Sequence, residues 1–399
     1  MSSKIQKRIA PAKELDSTNS DKGSKGFQTE NKPAKDSYPT RALIILTSLI
    51  LLISYVETMV LPGIPTIQKD FLASAPVAAW ITSSVLLVGA ISSPLFGKFG
   101  DIYGKKKLIL IALTFYTAGV GIAGFSTSIY FLIFARAIQG VGLAMFPLAL
   151  AMVTDIFPKE KLAAAQGLIA GGAGISTSAG LVLGSYVIQT LGWRYAFHTA
   201  FILSVVLFVL AIVVLRPDVR FVKSKVDYFG AMLLMAGLAL ILIYLTEGST
   251  LGWLSIEELV FLIPGIALIF GFFVFESKVV SPLIQLSLLK VRNVLIANLV
   301  VMVAGLANFL VFFAVVYFAE QPVPYGLGLD ILSTGLMLAP ATVAMLIVGP
   351  IAGRMVTKIG PKPVLLSGSL VSMVSYVLFI VNRATEAAVI VDAIVAFAG

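Results

Sequence analysis

The sequence predicts an all-α, polytopic membrane protein. Composition is the first reason: of 399 residues, 58% are hydrophobic and 12% charged, with mean hydropathy +0.99. Soluble domains carry about 25% charged residues, so this chain could not cover a water-facing surface of its own. The second reason is patterning. The apolar residues gather in runs near the roughly 20 residues that a helix needs to cross a bilayer. The third is the placement of basic residues, which alternates from loop to loop.

Residues 1–41 differ from the rest. They are rich in Lys, Ser, Asp and Pro and almost free of large apolar side chains, which predicts a disordered tail. No apolar segment follows a short basic start, so the tail does not read as a signal peptide. Eleven apolar runs follow, near 43–64, 77–97, 107–126, 129–153, 163–187, 194–215, 228–246, 257–275, 293–319, 331–352 and 363–382. A twelfth begins near Ala387 and stops at Gly399. Its length of about 20 Å at 1.5 Å per residue is too short to cross, so a fragment is expected.

With these spans, sixteen loop Lys and Arg residues fall on the side of the N-terminal tail, from Lys98 to Lys362. Three fall on the other side: Lys69, Arg194 and Arg383. The positive-inside rule then predicts a multi-pass plasma-membrane protein with a cytoplasmic N-terminus. The same rule accounts for the net charge of +9, so the lipid bilayer and not nucleic acid is the expected partner. There is no cysteine and one histidine, His198, which excludes disulfides, thiolate sites and histidine metal clusters. No metal or cofactor is expected. No Walker-type phosphate loop occurs. No His, Asp or Glu cluster inside the spans suggests an enzyme, and no filter-like loop suggests a channel.

Two loops repeat. Gly97 to Lys105 joins the second and third spans, and Gly353 to Pro361 joins the tenth and eleventh. Both are short and basic with glycines seven apart, and both are expected to turn tightly on the tail side. Repeated halves typify secondary transporters.

These residues carry a resemblance to the major facilitator superfamily. Gly97, Asp101, Gly104, Lys105 and Lys106 match its signature between the second and third helices, with Ile102 where Arg is usual. Arg136, Gln139, Gly140 and Gly142 match its fourth-helix pattern. Glu57-Thr58 followed by Leu61-Pro62 resembles the first-helix motif of drug exporters, with Glu in place of Asp. The repeated loop lies two helices later than in 12-helix members. That resembles the 14-helix drug:proton antiporters, exporters of quaternary ammonium compounds and tetracyclines. The resemblance implies a six-helix half over 42–215, an inserted helix pair within 216–290, and an incomplete second half over 291–399. In the fifth span, Gly180 to Ser185 lacks the proline of the exporter motif.

Several residues become candidates for function. Glu57 lies in an apolar run, where burial disfavours the charged form, so it should tend to hold a proton or pair with a cation. Arg136 is the one basic residue well inside a span and must find a carboxylate, carbonyls or water. The resemblance implies that it governs the protonation of a neighbouring acid. It also implies that Asp101, among Gly97, Gly104, Lys105 and Lys106, latches one conformation against a helix N-terminus beyond residue 399. Gly172, Ser176, Gly180 and Gly184, four apart, form a smooth stripe for close packing or sliding of helices. The aromatic residues Phe309, Phe312, Phe313, Tyr317 and Phe318 could line a cavity for aromatic or cationic solutes, and among them Phe309, Phe313 and Tyr317 are the named candidates. The resulting expectation is a monomeric, proton-coupled exporter of amphipathic cations working by alternating access. The alternatives are transport of another solute, by symport or uniport, and a non-transporting binding or sensory relative.

Overall fold

The computed structural model describes residues 37–217, 227–279, 282–381 and 385–398. Every regular element among them is helical. In a bilayer this follows from elementary energetics. A backbone N–H or C=O without a partner in hydrocarbon costs several kcal/mol, and a helix satisfies its own.

The first rod is α1 (Tyr38–Met59), continued by a 3₁₀ turn at Leu61–Gly63 and α2 (Ile64–Asp70). Then come α3 (Ala75–Tyr103) and α4 (Lys105–Gly124). The next rod is built of α5 (Ile129–Gly140), a 3₁₀ stretch Val141–Ala144 and α6 (Met145–Ile156). α7 (Lys159–Leu191) and α8 (Trp193–Val214) follow, then α9 (Tyr228–Leu251) and α10 (Ile256–Glu276). After the single turn α11 (Leu286–Leu289) come α12 (Arg292–Glu320), α13 (Ile331–Ile359), α14 (Pro361–Val381) and α15 (Glu386–Ala398). Among the described residues, ten rods are long and apolar enough to cross a membrane. α13 adds 29 residues with apolar stretches at Leu332–Ala341 and Ile347–Val356.

Helices lie at every run the sequence indicates, but most are longer. Hydropathy marks the part that lies in hydrocarbon, and polar ends can stay helical beyond it. The expected tight loop at Gly97–Lys105 is therefore corrected: α3 runs to Tyr103, with Asp101 in its last turn. Gly104 alone breaks the helix, at φ 98°. Its N–H still reaches the Gly100 carbonyl at 3.0 Å, and α4 starts at the next residue. Gly360 repeats this at φ 87°, with its N–H on the Val356 carbonyl at 3.0 Å and α14 starting at Pro361. A residue with a Cβ is strained at such angles. The repeat legible in the sequence is thus a repeated pair of glycine corners.

One apolar core joins buried residues from Ala42 to Leu215. A second, smaller one joins Phe312, Val315 and Ala319 of α12, Met337, Leu338 and Ala341 of α13, and Val389 and Ala393 of α15. Leu181 of α7 belongs to this second core, so α7 and α13 form the seam between the two groups of helices. At the seam a Cβ on Gly335 would stand 3.0 Å from the Leu181 carbonyl and 3.4 Å from Ser185 Oγ. Towards the tail side, Gly167 and Gly171 of α7 and Gly349 and Gly353 of α13 face open space. α9 and α10 pair through Gly237 and Gly265, which pack on Ile269 and Ile241. Trp80 Nε1 of α3 donates to Glu247 Oε1 of α9 at 2.8 Å, fastening this pair to the first core.

Candidate functional site

The geometry converges on Glu57. Arg136 Nη2 lies 2.9 Å from Glu57 Oε2, and Nη1 lies 3.4 Å from Oε1. Arg136 also donates through Nη1 to Gln139 Oε1 at 2.8 Å and through Nε to the Ile81 carbonyl at 3.1 Å. Gln139 Nε2 closes the ring on Glu57 Oε1 at 3.3 Å. The planar guanidinium suits this task because its fork of donors can serve a carboxylate, an amide and a carbonyl together.

Local packing explains why the fourth-helix motif needs its residue types. Arg136 and Gln139 are three apart and so share a face of α5. A Cβ on Gly140 would press on the Val85 carbonyl of α3, and one on Gly142 would press on the Tyr116 ring of α4. Both glycines therefore let α5 close on its neighbours until the arginine reaches α1. Tyr116, itself fully buried, donates to the Leu52 carbonyl of α1 at 3.3 Å.

Burial divides the pair. The Arg136 side chain is 0% exposed and the Glu57 side chain 19% exposed. Glu57 owes its exposure to two cavities that share its wall. One, of about 260 Å³, is lined by Glu57, Thr58, Thr82 and Thr177 together with Gly305, Phe309 and Phe312 of α12. The other, of about 290 Å³, lies against Ile50, Leu143 and Phe146. The first cavity draws on both groups of helices. Thr82 Oγ1 is buried without a hydrogen-bond partner among the described residues.

The stripe on α7 packs against α1. Gly172 meets Thr47 and Leu51, Ser176 Oγ donates to the Leu51 carbonyl, Gly180 meets Tyr55 and Thr58, and Gly184 meets the backbone of Met59. α1 therefore carries Glu57 on a rail of small residues. Of the three aromatic candidates on α12, Phe309 lines the first cavity. Phe313 and Tyr317 are not among its lining residues, and Tyr317 is 70% exposed on the outer surface. Phe312, also among the α12 aromatics considered from the sequence, takes the second aromatic position.

The residues of the expected latch do not gather around Asp101. Lys105 pairs with Asp155 of α6, and Lys106 Nζ donates to the Ile212 carbonyl of α8 at 3.0 Å. Asp101 is exposed and has no ion pair among the described residues. Gly97 faces open space. Asp392 of α15 was also missed: it is 3% exposed in an apolar helix, with Oδ2 unpartnered among the described residues.

A bundle of membrane-crossing helices around a cavity that holds a buried ion pair is the build of a solute transporter. Residues 46–399 match the profile of the Major Facilitator Superfamily, and the chain belongs to that family of transporters, which are not enzymes. It is similar to the tetracenomycin C resistance and export protein of Streptomyces glaucescens, with 29% identity over 84% of this chain and 62% of that one. It is also similar to multidrug resistance protein 3 of Bacillus subtilis (strain 168), with 27% identity over 77% of this chain and 60% of that one. The chain thus spans less than two thirds of the length of these curated relatives. Among solved structures, tetrameric PepTSo2 aligns with TM-score 0.60 at 13% identity, over 90% of this chain and 81% of that one. The xylose transporter XylE from E. coli aligns with TM-score 0.57 at 14% identity, over 91% and 84%. These two likenesses concern the fold alone.

Proposed function

We propose that this protein exports amphipathic, cationic organic compounds in exchange for protons. It would do so by alternating access across the plasma membrane, with its N-terminus in the cytoplasm. One observation carries the reading: Glu57, the only acid among the described residues lining the first cavity, shares that cavity with Phe309 and Phe312 while its other side is held by Arg136 and Gln139. A carboxylate beside aromatic faces suits an organic cation. When a proton neutralises Glu57, its attraction for such a cation falls. When the proton leaves, the attraction returns. Proton and solute then compete for one carboxylate, which is the minimum that antiport needs.

Two further observations support the reading. α7 and α13 meet at Gly335, a contact between the two groups of helices that alternating access would make and break. Several relatives at 24–29% identity are named for multidrug resistance or export. A second reading, coupled uptake of another solute, rests on the missing proline in the Gly180–Ser185 stretch of α7.

The test uses full-length protein in inverted vesicles with an imposed proton gradient, read by a pH-sensitive dye. Adding lipophilic cations is expected to dissipate the gradient, and Glu57→Gln is expected to abolish that response while the protein still inserts. A full response in Glu57→Gln would remove Glu57 from the coupling. No response to any cation in wild-type vesicles would favour the second reading.

A further inference from the structure

The α9–α10 pair ends on the tail side in two buried carboxyl groups that the transport cycle above does not use. Asp227 caps α9: its Oδ1 accepts from the Gly230 N–H at 2.8 Å. Glu276 ends α10, and its Oε1 accepts from the Ile284 N–H at 2.5 Å. Each carboxyl therefore uses one oxygen on a backbone donor. The remaining oxygens, Asp227 Oδ2 and Glu276 Oε2, are buried and have no hydrogen-bond partner among the described residues. Asp227 is 8% exposed and Glu276 2%.

The two unpartnered oxygens converge. A Cβ built on Gly230 would lie 2.9 Å from Glu276 Oε2 and would press on Asp227 Oδ2. The space they share is thus one that only a glycine leaves free. Two carboxylates brought so close in a dry site repel strongly, and a single proton between them turns repulsion into a charge-assisted hydrogen bond. A metal ion is a poorer fit, because hard cations need about six oxygens and only two are free here. Among the described residues, the charged groups nearest in sequence on these elements are Lys98 and Asp101 of α3 and Lys278 just after α10, and Lys98 Nζ donates to the Pro282 carbonyl at 3.1 Å.

We propose that Asp227 and Glu276 hold one proton between them and that this shared proton clamps the foot of the inserted helix pair. The clamp reaches further than the pair. Glu276 holds the segment after α10 at Ile284, and two residues earlier the Pro282 carbonyl accepts from Lys98 Nζ at 3.1 Å. Lys98 lies on α3 within the Gly97–Lys105 segment. Loss of the proton would therefore loosen the segment that ties α10 to α3, making the tail-side end of this interface sensitive to pH. The charge balance is simple: the closed pair carries one proton and one negative charge, and the open pair carries two negative charges.

The linkage fixes the sign. A folded chain that keeps a proton the unfolded chain has already released loses stability as pH rises. The experiment uses the full-length protein in detergent, with Asp227→Asn and Glu276→Gln compared with wild type. Both variants keep the backbone contacts, because Asn caps a helix as Asp does and Gln offers the same acceptor. Infrared spectra at neutral pH are expected to show a protonated-carboxyl C=O component in wild type that is missing from both variants. The wild-type melting temperature is expected to fall by roughly 2–4 °C between about pH 5 and pH 9, with a flatter profile in both variants. An unchanged infrared component in either variant would overturn the proposal, as would an unchanged pH profile. So would stabilisation of wild type by sodium or calcium ions that both variants lack, which would indicate a bound cation in place of the proton. Transport by Glu57 is measured separately, so this result and that one can fail independently.

Discussion

At the scale of single residues, the Glu57–Arg136 pair makes the clearest demand. Removing one member of a buried, hydrogen-bonded ion pair destabilises by about 3–5 kcal/mol, because the other charge is left without a partner. Here the exposed edge of Glu57 reduces that figure, since cavity water can reach it. Arg136→Ala is therefore expected to lower the melting temperature in detergent and to abolish solute-driven proton movement in vesicles. Arg136→Lys should recover some stability but not coupling. An ammonium cannot serve the Ile81 carbonyl, Gln139 and Glu57 in one plane. Wild-type coupling in Arg136→Ala would end the idea that this arginine governs Glu57. Both members stand out in the sequence because each is a charge in an apolar run. Their meeting across 79 positions does not, and neither does the place of Gln139 between them.

At the scale of elements, the α7 stripe decides where α1 can sit. Gly180→Ala would drive a Cβ into the Tyr55 carbonyl and Thr58, one residue from Glu57. Overpacking of this kind costs about 1–3 kcal/mol. The variant is expected to melt lower and to transport more slowly. Gly171→Ala, on the same helix but facing open space, is expected to leave transport intact and to hold or raise stability by up to about 1 kcal/mol through helix propensity. Comparing melting curves and initial transport rates of the two variants tests this. Equal losses in both would mean that helix propensity, and not contact with α1, governs the stripe. The spacing of four was visible in the sequence, but the partner helix was not. The same holds on α12. That helix is apolar on every face, so no periodicity distinguishes Phe312, which lines the cavity, from Phe313 and Tyr317, which do not.

At the scale of the whole molecule, the seam between α7 and α13 is where the two groups of helices meet. The chain has no cysteine, so a pair can be introduced cleanly. A Cβ built on Gly335 would stand 3.4 Å from Ser185 Oγ, so the two positions are neighbours at which a disulfide can be introduced. Oxidised Ser185→Cys/Gly335→Cys is expected to stop transport, and a reductant to restore it, with each single variant active throughout. Transport at the wild-type rate in the fully cross-linked protein would show that the seam need not open. The α9–α10 pair raises a related point. Trp80–Glu247 at one end and Lys98–Pro282 at the other hold it to α3, so it should move with the first core as one body.

The sequence by itself determined that the chain is a bundle of membrane helices and which charges are out of place in the hydrocarbon. Those properties are local: composition, run length and the cost of burying a charge need no knowledge of neighbours. Glycine corners at 104 and 360 were likewise legible as a repeat. The tertiary structure alone decided that α3 stays helical past Asp101, that Arg136 and Gln139 close on Glu57, and which α12 aromatics face the cavity. It also decided that Asp227 and Glu276 are buried near each other. Each of these depends on which faces of uniformly apolar helices meet. A chain that is hydrophobic all round carries no periodic signal to say so.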